Sequence, residues 1–96
     1  MLSRADFIFT IGYDGPAAVV DGQAKRKYGT LSTKELAERG LFRAAYSSAI
    51  YSKDPVELDY VIEAYNKAAH THYDRSFPFD RLFGVFPVEV NKAIVL

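Results

Sequence analysis

Residues 54–74, DPVELDYVIEAYNKAAHTHYD, decide how this 96-residue chain is read. Asp54 is placed to cap a helix, and Pro55 suits the first helical position, where its missing N–H is not needed. Glu57 completes a box-like pair with Asp54. Leu58, Val61, Ile62, Tyr65 and Ala69 recur at helical spacing and form one apolar stripe. The stretch closes on His70, His72 and Asp74, and so holds both histidines of the chain. At about 100° per residue, a helix running through residue 72 turns the two imidazoles about 200° apart. His72 then prolongs the apolar stripe, and His70 joins the polar face of Glu63, Asn66 and Lys67. A helix that stops near Ala69 leaves an extended segment instead. Both imidazoles and the Asp74 carboxylate then share one side, a donor set suited to Zn²⁺ or a similar ion. The cap and stripe favour a helix reaching at least His70, with His72 packed at its end and no cofactor.

The elements on either side follow from caps and turns. Ser32 and Glu35 have capping-box spacing, Leu31 and Leu36 supply the staple around it, and Gly40 is placed to end that helix. Leu41 to Ser52 reads as a second helix, with Phe42, Ala45, Ala49 and Ile50 available for one face. Upstream, Phe7, Phe9, Ile11 and Tyr13 alternate and predict a strand over 6–13 that breaks at Asp14-Gly15-Pro16. Asp21-Gly22 is a type I′ hairpin dipeptide between Ala17–Val20 and QAKRKY, which reads as a polar edge strand. Downstream, Val88, Val90 and Ile94 alternate after Pro87 and predict a C-terminal strand. The expected fold is α+β: an N-terminal three-stranded antiparallel meander, three helices packed on one face, and a C-terminal strand. Residues 1–96 are taken as a single compact domain.

Composition narrows the chemistry more than it identifies it. Half the residues are apolar and a quarter charged, a globular balance rather than a disordered one. Twelve basic groups balance twelve acidic ones, which does not favour a polyanionic partner over the whole surface. The chain contains no cysteine, which excludes disulfides, zinc thiolates and a thiol nucleophile. No apolar run approaches the roughly 20 residues that span a bilayer, and the first residues do not resemble a signal peptide. A cytoplasmic location without membrane contact is the expectation.

Four constellations invite a functional reading. His70-Thr71-His72-Tyr73-Asp74 has the form His-x-His-x-Asp and resembles, over five residues, the metal-binding motif of metallo-β-lactamase-like hydrolases. That family usually places another histidine next, where this chain has Arg75. Lys25, Arg26, Lys27 and Tyr28 put basic groups beside a ring, a pattern able to hold single-stranded nucleic acid. The segment KELAERGLFRAAYSSAI resembles a helix-turn-helix of bacterial repressor type, one residue short between Ala37 and Gly40. Tyr73, Phe77, Phe79, Phe83 and Phe86, punctuated by Pro78 and Pro87, could complete the core or present an aromatic surface to a partner. Paired acids such as Glu57 and Asp59 diverge on their helix, and no serine lies in a nucleophile elbow. The resulting expectation is a non-enzymatic binding or protein-interaction domain, contacting a protein partner or a second copy of itself. The alternatives are a small metal-dependent protein using His70, His72 and Asp74, and a nucleic-acid-binding domain.

Overall fold

A computed structural model describes residues 2–85, 90 and 92–96. They group into two compact units, Met1–Thr30 with Pro87–Leu96, and Leu31–Phe86.

The first unit joins two short helices to a sheet. Ser3 caps α1 (Arg4–Ile8) by accepting the Asp6 backbone N–H, and the chain then extends into β1 (Thr10–Asp14). The strand expected over 6–13 is thus helical in its first part. Ser3 followed three residues later by an acid is a helix-start signal that the overlapping period-two pattern obscures. Gly15, at φ +56°, and Pro16 form a two-residue hairpin loop into β2 (Ala17–Val20). Positive φ at the first loop position and a proline-fixed φ at the second match a type II′ turn. β1 and β2 pair antiparallel, with a bulge that leaves Ile11 outside the register between Thr10 and Gly12.

Asp21-Gly22 does not turn a second hairpin. Asp21 accepts the Ala24 N–H and caps α2 (Gly22–Tyr28), so the expected third strand is a helix. Gln, Ala, Lys and Arg are all strong helix formers, and an aspartate that can cap outweighs its dipeptide preference. The sheet takes its third strand from β3 (Lys92–Val95), in the order β1-β2-β3. β3 runs parallel to β2, so the sheet is mixed rather than an antiparallel meander. Val88 and Pro87 of the expected C-terminal strand lie outside the described residues. Gly22 is demanded by this topology: a Cβ there would come within 2.0 Å of the Leu96 carbonyl oxygen. The helices are tied by an ion pair from Lys25 to Asp6 at 2.6 Å and by a hydrogen bond from Arg4 to the Gly29 carbonyl. Ile8, Phe9, Ala18 and Val20 are buried.

The second unit is helical. α3 (Thr33–Glu38) carries the expected capping box, with Ser32 and Glu35 bonding each other's backbone N–H. It ends in a Schellman arrangement: Gly40 at φ +76°, its N–H to the Ala37 carbonyl, and the Leu41 N–H to the Leu36 carbonyl. α4 (Phe42–Ser52) and α5 (Pro55–Ala69) follow, α5 capped by Asp54 with Pro55 in its first turn. α3, α4 and α5 pack on one another, and the short α6 (Phe79–Phe83) packs on α4. Leu36, Ala45, Val61 and Ile62 are buried at the centre. The buried hydroxyls of Thr33 and Ser48 meet at 2.6 Å, joining the start of α3 to α4.

Candidate functional site

α5 stops where the choice between the two histidine geometries is made. His70 adopts the left-handed conformation, φ 57°, as the residue that ends the helix. The helix therefore reaches His70 only as its cap and does not run to residue 72. Its stop is built by Asn66. The Asn66 carbonyl accepts the N–H of His70 and of Thr71, satisfying an orphan helix-end acceptor. Its side-chain amide then grips the departing chain, accepting the Tyr73 N–H at 3.0 Å and donating to the Tyr73 carbonyl at 2.8 Å. The Thr71 hydroxyl adds a third bond to the same amide at 2.9 Å.

The segment then folds back toward the start of α5. Arg75 makes a two-pronged contact with Asp59, 2.7 Å from Nε to Oδ1 and 2.6 Å from Nη2 to Oδ2. A further Arg75 bond reaches the Pro55 carbonyl. The guanidinium holds the Asp59 carboxyl below its usual range. Asp74 is committed to its own turn, its carboxylate accepting both the hydroxyl and the backbone N–H of Ser76, which lowers its pKa. His70, His72 and Asp74 are all exposed, and His72 is not packed at a helix end as the stripe implied. Among the described residues, no three His, Asp or Glu side chains are grouped to hold a metal ion.

The aromatic residues fall into two sets. Phe79 is only 3% exposed and Phe83 is half-buried. They meet Tyr46 of α4 at ring separations of 6.0 and 5.3 Å, and Tyr65 of α5 at 6.3 and 5.3 Å. Phe42 closes on Tyr65 edge-on at 5.5 Å. Tyr73 and Phe77 stack on each other at 3.8 Å nearer the surface, touching the same cluster through Phe79. Phe79 and Phe83 thus complete the helical core, Tyr73 and Phe77 form its outer layer, and Phe86 lies outside the described residues. The cluster also holds a part-buried polar pair. The Tyr46 hydroxyl donates to Asp80 Oδ1, and burial followed by that bond pushes the phenol well above its ordinary pKa.

The basic cluster is likewise redistributed. On α2, Lys25 is spent on Asp6, and Lys27 lies 5.3 Å over the Tyr28 ring. The Arg26 guanidinium lies beside Gly22. In the helical hairpin, Ala44 to Ala49 are buried without a break, so the middle of α4 has no free face to enter a groove.

Compared with protein-family models, curated proteins and solved structures, the chain has no match. Function therefore has to be read from its own surface. Among the described residues, no helix is long and apolar enough to cross a membrane.

The feature that sequence reasoning missed is the place of β3 beside β2 and its exposed outer edge. All four residues of β3 are exposed. Ile94 and Val95 are 44% and 46% exposed and Leu96, just beyond, is 68% exposed. β3 is the last strand in the sheet order, and no other described strand pairs with its outer side. Once Val20 is recognised as paired with β3, the apolar run Ala93-Ile94-Val95-Leu96 reads as an open edge.

Proposed function

We propose that this chain is a small non-enzymatic protein-interaction domain that docks extended segments against the outer edge of β3. The observation that carries this reading is the exposed apolar run Ala93-Ile94-Val95 of β3, with no other described strand on its outer side. Sheet edges of this kind are templates for strand addition, in which backbone hydrogen bonds give affinity and alternate side chains give selectivity. Proteins normally blunt such edges with charges, prolines or bulges. β1, at the other end of the sheet, has a bulge at Ile11 and a terminal Asp14, whereas β3 has only Lys92 at its start. Among the described residues, a bulge thus guards one edge and none guards the other.

A short acetylated peptide of the sequence Lys92–Leu96, titrated into the labelled protein, tests the reading. The amide signals of Ala93 and Val95 should shift and gain exchange protection, with little dependence on salt or chelators. No perturbation at either amide, in a chain that also stays monomeric, would remove it.

A further inference from the structure

We infer that the segment docked on β3 is the β3 strand of a second copy of this chain, paired antiparallel about a two-fold axis at Ile94. The inference rests on the edge-docking reading above and specifies its partner. Hydrogen-bond direction comes first. In a strand, the N–H and C=O of successive residues point alternately to either side. The Leu96 N–H bonds the Val20 carbonyl at 3.0 Å, so Leu96, Ile94 and Lys92 turn their backbone groups toward β2. Ala93 and Val95 therefore present theirs outward. Two copies centred on Ile94 bring Ala93 opposite Val95 of the other copy, twice. Each such pair is hydrogen-bonded, and Ile94 faces its own copy as the closer, non-bonded pair.

Charge selects the direction. Parallel pairing in register sets Lys92 against Lys92, and like charges directly opposite are unfavourable. The antiparallel register places Lys92 opposite Leu96 and holds the two ammonium groups' strand positions about 13 Å apart. The other edge selects the symmetry. Pairing β3 with β1 of another copy would leave free ends and grow without closing. The bulge at Ile11 obstructs that arrangement, whereas a β3–β3 pair closes on itself. The product is a continuous six-stranded sheet, β1-β2-β3-β3-β2-β1, with Ile94, Val95 and Leu96 of both copies brought together.

Sedimentation equilibrium of the full chain from micromolar to millimolar concentration tests this, together with amide exchange at Ala93 and Val95. The mass should rise from monomer to dimer, with exchange at both amides slowing in step. Ala93→Pro removes an outward N–H that the β2 ladder does not use, and should leave a folded monomer. Ile94→Lys and Ile94→Glu provide a test independent of that variant. Each alone should weaken association at least tenfold, because residue 94 meets itself, and mixing the two should restore a heterodimer. Dimerisation that survives in Ile94→Lys, or a mixture that fails to recover, overturns the inference. A chain that stays monomeric at millimolar concentration, while the Lys92–Leu96 peptide still perturbs Ala93 and Val95, overturns the self-pairing and leaves the edge-docking reading standing. If neither association nor peptide binding occurs, both fall.

Discussion

His70 shows how one residue can end a helix against the apparent logic of its sequence. A β-carbon in the left-handed region is disfavoured, and glycine is the usual occupant of a helix-ending position. The apolar stripe from Leu58 to Tyr65 was legible, as was Asp54 as its cap, whereas Ala69, expected to extend the stripe, is exposed. The stop was not, because it depends on Asn66 bonding a segment that bends back over the helix, and that bend has no local signature. Replacing His70 with Gly should therefore stabilise the protein by about 1 kcal/mol, read as a higher denaturation midpoint with unchanged slope. A loss of stability would mean that the imidazole makes a compensating contact. Tyr46 gives the opposite case, a side chain whose polar end is costly to disturb. Its hydroxyl serves a charged acceptor inside the ring cluster, so Tyr46→Phe should cost about 1.5 kcal/mol at neutral pH. Because the folded-state pKa is raised, this contribution is complete below the unfolded phenol value near pH 10 and is lost as pH rises above it. Thermal melts of the two proteins should thus converge in strong alkali. A gap that stays constant across that range would sink the assignment.

At the level of elements, what the sequence showed depended on whether signals competed. Nothing contradicted the capping box at Ser32, the staple positions, Gly40 or Pro55, and all of α3, α4 and α5 could be placed from them. In residues 4–28, two patterns coincided. The alternation of Phe7, Phe9, Ile11 and Tyr13 overlies a helix start at Ser3, and Asp21-Gly22 serves as well for a cap as for a hairpin. The hairpin reading of Asp21-Gly22 predicts a strand where Asp21 and the helix-forming run behind it make α2. The helical elements also conceal a feature that spacing could not announce, the Thr33–Ser48 contact between α3 and α4. Each hydroxyl is buried and bonds the other, so removing one breaks a hydrogen bond inside the core. Thr33→Val or Ser48→Ala alone should each cost about 1–3 kcal/mol, while the double variant costs less than their sum. Additive costs in a double-mutant cycle would show that the two hydroxyls do not depend on each other.

Across the whole molecule, the order of elements along the chain explains why the sheet was the hardest part to read. β2 precedes the helical unit in sequence and pairs in space with β3, whose residues follow that unit in sequence. Parallel partners need a crossover, and a crossover this long leaves no local mark that joins Val20 to Val95. Residues 92–95 were legible as part of a C-terminal strand, but their place beside β2 and their open outer side were not. The same topology predicts how damage separates. Removing residues 86–96 deletes the parallel partner of β2 and leaves β1 and β2 as a two-stranded hairpin with only the short α1 and α2 beside it, which is marginal in water. The amides of Ala18 and Val20, which alternate toward β3, should then exchange at nearly unfolded rates. The helical unit keeps its own centre of Leu36, Val61 and Ile62, its capping box and its ring cluster. Amides of Leu36, Val61 and Ile62 should therefore retain protection in the shortened chain, and its far-ultraviolet circular dichroism should stay helical. If those three amides lose protection together with Ala18 and Val20, the helical unit depends on the strand, and its own core is not sufficient to hold it.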